Sequence, residues 1–204
     1  MNKVVIAGNH DVVLDETKAT SLGMDAGELL GLRWGSVQYL QDSTVSLKFR
    51  GGRTLSIYGS PWTRKHGNWA FQYEKEVDVF SGRLDSEADI LVTHSPPKNH
   101  MDLRSWGDGY LRKELERVRP RLHVFGHIHG GYGKELVVFD RFEDLYEKVV
   151  DGKSGVFSVL WMILILLFNF VGWGICREAT VLVNASAIGG QRDELRNEPW
   201  VVSL

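Results

Sequence analysis

The sequence predicts an α/β domain built in layers, with strands alternating with helices and hairpins and a site at the strand ends. Three observations carry this. Short apolar runs recur at 4–7, 89–93, 122–125 and 180–183, the pattern of buried strands. Each run ends in a polar cluster: Gly8-Asn9-His10-Asp11, Thr93-His94-Ser95-Pro96-Pro97, Gly126-His127-Ile128-His129 and Asn184-Ala185-Ser186. Between them lie a helix-like stretch and an alternating hairpin. Open α/β sheets bind ligands beyond the carboxyl ends of their strands.

Each element has a local cause. Val4–Ala7 stops at Gly8 as a buried strand. Ala26–Leu30 reads as a short helix. Val45–Phe49 and Thr54–Tyr58 alternate strictly around Arg50-Gly51-Gly52-Arg53, a hairpin bent at Gly-Gly. Gly59–Thr63 is a loop, and the aromatic-rich residues 67–80 read as a short amphipathic helix. Asp89–Thr93 is a strand stopped by Pro96-Pro97. Gly107-Asp108-Gly109 is a turn before the helix Tyr110–Arg119, with Leu111, Leu115 and Val118 on one face and charge on the other. Pro120 ends it. Leu122–Phe125 is the next strand, Phe142–Val150 is helical, Thr180–Val183 is a strand, and Trp200–Leu204 closes the chain as another.

Bulk properties exclude several classes. With 204 residues the chain can bury a real core. A net charge of -2 gives no reason to expect a nucleic-acid polymer as partner. The single cysteine, Cys176, rules out an internal disulfide framework and fits a reducing, cytoplasmic compartment. Met1-Asn2-Lys3 runs straight into a strand, with no signal peptide expected.

The histidines carry the chemistry. Neutral imidazole binds Zn, Mn and Fe, and an amide oxygen can join it. His127 and His129, two residues apart past a strand end, can converge on one locale, and the surrounding glycines allow close backbone approach. A lone histidine after a strand is ordinary polar surface, which is the reading for His66, His100 and His123. Three separate strand-end clusters, with Asn9-His10, His94 and His127/His129, point instead to a metal site.

The order GNHD, THSPP, GHIHGGYG resembles the calcineurin-like metallophosphoesterase superfamily, and within it the metallophosphoesterase-domain (metallophosphodiesterase) group. Tyr39–Ser43, Ile57–Thr63, Leu91–Pro97, Arg119–Gly133 and Val183–Ser186 support the resemblance. It covers 3–133 and 179–204. It implies a β-sandwich flanked by helices, a four-layer-like arrangement, with two metal ions at one edge. It also implies roles. Asn9, His94 and His127 resemble ligands of the second metal, and His129 a ligand of the first. His10 resembles the histidine that contacts phosphate and protonates the leaving group, with Asp11 orienting it, although Asp11 also reads as a simple turn residue. Two metals would bridge an attacking hydroxide and offset phosphoryl charge, giving hydrolysis of a phosphomonoester or phosphodiester.

One part of the family pattern is missing. Asp-x-His and Gly-Asp motifs precede GNHD in the family and supply carboxylates, including the one bridging both metals. Residues 1–7 contain no acid and no histidine. The expectation is therefore an N-terminally truncated form that binds at most one metal well (Mn, Zn or Fe) and hydrolyses poorly.

Residues 156–176 (VFSVLWMILILLFNFVGWGIC) carry no charge. By composition they are a transmembrane-helix candidate, since about 20 apolar residues span a bilayer, with Trp161 and Trp173 towards the ends. Topology opposes a span, because strand 180–184 would then lie across the membrane from the rest of its fold. A hydrophobic helix or helical hairpin in the membrane surface, broken near Asn169 or Gly172–Gly174, is favoured over that and over a buried packing element. The domain reading is 1–133 with 178–204 as the metallophosphoesterase domain, and 134–177 as an insertion.

The function expected is metal-dependent hydrolysis of a small, nucleotide-like phosphoester. Trp62 and Tyr132 are candidates to stack on a base, against plain packing. The alternatives are a non-catalytic nucleotide- or phosphate-binding module, and a membrane-attached scaffold held by 156–176.

Overall fold

Alternation of apolar and polar residues on either side of Arg50–Arg53 produces an antiparallel hairpin, as expected. Its arms, β3 (Ser43–Lys48) and β4 (Thr54–Ser60), pair from Ser43 against Gly59 to Lys48 against Thr54. The computed structural model describes residues 2–24, 33–104, 106–168, 179–189 and 194–204. The expected helix at 26–30 lies outside them.

The hairpin is one edge of a six-stranded sheet in the order β3-β4-β7-β8-β10-β9, with β7 at Ile90–Thr93, β8 at Leu122–Phe125, β9 at Gly133–Val137 and β10 at Thr180–Asn184. The four central strands β4, β7, β8 and β10 are parallel. Their carboxyl ends therefore share one edge, at which the next residues are Pro61, His94, Gly126 and Ala185. Edge strand β9 runs antiparallel to β10, from Gly133 against Asn184 to Val137 against Thr180. The expected boundary at 134 falls inside this strand, so residues 134–137 belong to the sheet.

A second, two-stranded sheet joins β1 (Lys3–Ile6) in parallel to β2 (Val37–Leu40). It lies against β4: a Cβ added at Gly59 would sit 2.5 Å from Leu40 and 2.7 Å from Ile6. The expected sandwich is thus an unequal one among the described residues, six strands against two. Two minor pairs complete the strands, β5 (Thr63–Arg64) with β6 (Gln72–Tyr73), and β11 (Ile188–Gly189) with β12 (Glu194–Leu195).

Helix α1 spans Glu16–Ser21, capped by the Asp15 side chain. Helix α2, Gly109–Val118, starts where the Asp108 carboxylate accepts from Leu111 N–H at 2.6 Å and stops at Arg119, whose φ of 50° ends the helix ahead of Pro120. Such an N-cap is worth about 1 kcal/mol. Leu111 and Leu115 are buried in the core with Leu91, Phe125 and Leu182, and each contributes roughly 1.5–3 kcal/mol of burial. The opposite face is not wholly solvated, because Arg112 and Glu114 are buried as well. Helix α3, Arg141–Val150, is capped by Asp140.

Two expectations fail. Residues 67–80 are not helical. Their backbone is drawn into tertiary hydrogen bonds: Thr63 N–H donates to Phe71 O at 2.9 Å, Phe71 N–H to Asp15 Oδ2 at 2.7 Å, and Ala70 N–H to Asn9 O at 3.0 Å. Phe71 sits at φ 50°, outside helical space. Residues 200–204 form no strand. They are held by Arg53, which donates to Leu204 O at 2.7 Å, and by the stacking of Trp200 on Tyr132.

The apolar segment begins as helix α4, Val156–Phe168, packed along α3 with Arg141 over the Trp161 ring. No residue of α4 is buried, and Phe157 is 88% exposed. The reading of a buried packing element therefore fails for 156–168. At 1.5 Å per residue its 13 residues reach about 20 Å, short of a ~30 Å hydrocarbon core. Among the described residues no helix is long and apolar enough to cross a membrane. Residues 169–176 lie outside them.

Candidate functional site

Parallel strands β7 and β8 deliver His94 and His127 to one edge, and the turn after β1, in the second sheet, brings Asn9 against them. The Asn9 side chain is buried, and its Oδ1 lies 2.7 Å from His94 Nε2. The His94 and His127 rings are 4.7 Å apart. The backbone fixes this arrangement: His94 N–H donates to Ser60 O, and Gly126 N–H to His94 O, both at 3.1 Å.

Close approach needs two missing side chains. A Cβ on Gly8 would lie 2.6 Å from the His94 ring. A Cβ on Gly131 would lie 1.9 Å from Met101 O and 2.9 Å from Asn184 Nδ2. Asn184 ties the histidine turn down by donating to Ile128 O at 3.0 Å and Met101 O at 3.3 Å. His127 itself sits at φ 64°, an uncommon conformation for a non-glycine residue that persists where its surroundings impose it.

Both central imidazoles are neutral at pH 7. Burial, reinforced by His127, His10 and His129, pushes His94 down to about 3. Burial, then His129, His10 and His66, pushes His127 down to about 4. Neutral rings offer the lone pairs that a cation needs. The His94–Asn9 hydrogen bond puts the hydrogen of His94 on Nε2, so a cation at that atom would replace it. His129 opens a short turn, His129–Gly131, within electrostatic reach of both rings. His94, His127 and His129 do not bring three ligand atoms within 4.8 Å of one another.

The remaining predicted residues are placed less centrally. His10 is exposed and packs on Trp69 at 4.5 Å. Asp11 accepts from Gly8 N–H at 2.7 Å, closing the turn that carries Asn9. Trp62 is packed edge-on to Phe71 and donates to Asp42 at 2.6 Å. Tyr132 stacks on Trp200 and donates to Glu198 O at 2.8 Å. Both aromatic rings thus have partners within the fold.

Sequence reasoning missed two features. The first is a cleft of about 480 Å³ running from His127 and Ile128 past Arg64, Lys65, Lys75, Arg104 and Trp106. Its cationic lining comes from separate segments, so no local charge run announces it. The second concerns the histidines read as polar surface. His100 and His123 are fully buried. His123 Nε2 meets Thr93 Oγ1 at 2.8 Å beneath the site, and burial pushes it down to about 3. His100 joins Glu143 and Glu147, the three ligand atoms lying within 4.8 Å of one another. Their wide separation along the chain hides the cluster.

Comparison with known proteins bears on the family of the chain. Residues 1–131 match the profile of the calcineurin-like phosphoesterase family. A protein of Emericella nidulans named probable rhamnogalacturonate lyase C is 42% identical over 210 residues, covering 99% of this chain and 19% of that protein. UPF0046 protein T07D4.2 of Caenorhabditis elegans is 33% identical over 162 residues, 64% of this chain and 39% of its own length. Metallophosphoesterase domain-containing protein 1 of Homo sapiens is 37% identical over 153 residues, 64% of this chain and 45% of its own length. The chain thus spans less than half the length of each of these relatives.

Proposed function

This chain belongs to the calcineurin-like phosphoesterase family, and we propose that it is a metal-dependent phosphoesterase acting on a small, nucleotide-like phosphodiester or phosphomonoester. The observation that carries this reading is the junction of two neutral imidazoles and an amide, His94, His127 and Asn9, with a cationic cleft. The cleft supplies Arg64, Lys65, Lys75 and Arg104 for an anionic substrate.

The donor set fits a divalent cation. Asn9 Oδ1, His94 and His127 would hold it, with His129 beside them, and uncharged nitrogen and oxygen donors accept Mn, Zn or Fe alike. When bound, the cation supplies positive charge against the phosphoryl oxygens and acidifies water. The chain's own residues do the rest. His10, exposed at the rim, gives a proton to the departing oxygen. Asp11 holds the Gly8 turn that aims Asn9 inward. Among the described residues no three-carboxylate or mixed set closes around these imidazoles, so we infer that they take one cation, weakly, and that turnover is slow.

The test is hydrolysis of bis(p-nitrophenyl) phosphate with Mn2+ or Zn2+. Cation-stimulated turnover that EDTA abolishes and that His127→Ala lacks is the expected result. Substrate-analogue binding with no cation-dependent turnover would overturn it.

A further inference from the structure

We propose that His100, Glu143 and Glu147 form a second, structural divalent-cation site, separate from the strand-end imidazoles. Helix α3 places Glu143 and Glu147 four residues apart on one face, and both reach His100 in the loop after β7. His100 Nε2 lies 3.3 Å from Glu143 Oε1 and 3.5 Å from Glu147 Oε1. Two ligands of a tetrahedral zinc ion, each ~2.0 Å from it, are separated by about 3.3 Å.

Three further observations point to a ligand. The other ring nitrogen, Nδ1, lies 3.2 Å from Glu135 Oε1 on β9. A histidine that donates through Nδ1 to a carboxylate presents an Nε2 lone pair, and this is the arrangement that orients metal-binding histidines. Arg112 Nε lies 3.2 Å from His100 Nε2, so the ring nitrogen, the guanidinium and the two carboxylates share one locale. Without metal a proton on Nε2 faces the two carboxylate oxygens, and a divalent cation bound there would replace it.

Glu143 is only 8% exposed, and its Oε1 accepts no hydrogen bond. Its nearest cationic atoms besides His100 are those of Arg112, 3.7 Å away. A buried carboxylate oxygen left this way is costly. The charges also call for a dication. Glu135, Glu143 and Glu147 contribute three negative charges and Arg112 one positive charge, leaving a net -2 with neutral His100. A proton on His100 cancels half of that, and a divalent ion cancels all of it. Arg112 already has outer partners in Glu116 at 3.6 Å and the Phe139 ring at 5.1 Å, so it can yield Glu147 Oε1 to the ion.

The consequence is mechanical. The ion would fasten α3 to the loop that carries His100. Met101, the residue after His100, is the one whose carbonyl abuts Gly131 and accepts from Asn184. A clamp at His100 therefore braces the turn that carries His127 and His129. Because the two sites share no ligand, failure of the phosphoesterase reading leaves this one standing.

The experiment measures Zn2+ bound per chain by equilibrium dialysis of the EDTA-stripped 204-residue protein, with a thermal melt alongside. His127→Ala is expected to retain one Zn2+ and a Zn2+-induced rise in Tm. Glu143→Gln is expected to lose that Zn2+, with affinity down at least ~10-fold, and to lose the Tm rise. Glu147→Gln, less buried, repeats the measurement should the Glu143 variant not fold, circular dichroism being the check. A His127→Ala protein that binds no Zn2+, or glutamine variants that bind it as tightly as the unsubstituted chain, would overturn the proposal.

Discussion

His94 is half-buried and His100 fully buried, and their neighbours drive them to opposite charge states. At the strand ends, burial and three other histidines push His94 down to about 3. Beneath α3, burial again acts downward, but the carboxylates of Glu135, Glu143 and Glu147 around the ring overcome it and hold His100 up at about 10. Burial sets how strongly charge is felt, and the neighbours set its sign. The first locale is a set of uncharged donors open to a cleft. The second is a closed, carboxylate-rich network.

Breaking the second locale should have the larger effect on stability. Arg112 is buried among Glu143 and Glu147, with a 2.7 Å hydrogen bond to the latter. In the metal-free chain, Arg112→Met strands those carboxylates and should cost about 3 kcal/mol or more, read from urea unfolding. A loss under ~1 kcal/mol would mean that water already screens the network.

Breaking the first locale should act on chemistry instead. His127→Ala is expected to lower cation-dependent phosphodiester turnover roughly 100-fold, about 2.7 kcal/mol of barrier, while the Tm stays close to that of the unsubstituted chain. If stability fell with activity, the His127 turn would be a packing element. A subtler probe is Gly8→Ala, whose Cβ would press on the His94 ring. It should weaken Mn2+ binding about 10-fold, measured by titration. Unchanged binding would show that His94 can move aside freely.

The sharpest contrast is the pH profile of stability without metal. His100 keeps its proton to about 10 when folded and loses it near 6.5 when unfolded. Its stabilisation is complete below about 6.5 and is lost as pH rises through about 10. His94 and His127, at about 3 and 4 when folded, act oppositely. Their share is present above about 6.5 and is lost as pH falls towards 4 and 3. His100→Gln should flatten the alkaline limb and leave the acid limb alone. A variant in which both limbs keep their shape would show that other groups set the profile.

Much of the fold was legible because its causes are local. Alternation around Arg50–Arg53 made the hairpin, Asp108 and Pro120 bracketed α2, and the apolar runs became β1, β7, β8 and β10. Residues 67–80 were misread because their aromatic spacing suits a helix, while the hydrogen bonds that hold them extended come from Asn9, Asp15 and Thr63. The tail at 200–204 has strand-like residues but pairs with no strand among the described residues.

The site divides along the same line. Sequence by itself determined that Asn9, His94 and His127 would sit just past strands, and the parallel pair β7 and β8 brings His94 and His127 to one edge. Sequence also carried the family, through motifs whose spacing is local. Only the tertiary structure decided which histidines are charged, that Arg64, Lys65, Lys75 and Arg104 line one cleft, and that His100 meets two glutamates of α3. Those outcomes depend on electrostatic neighbours contributed by distant segments, and a charge's neighbours in space are not written in its neighbours along the chain.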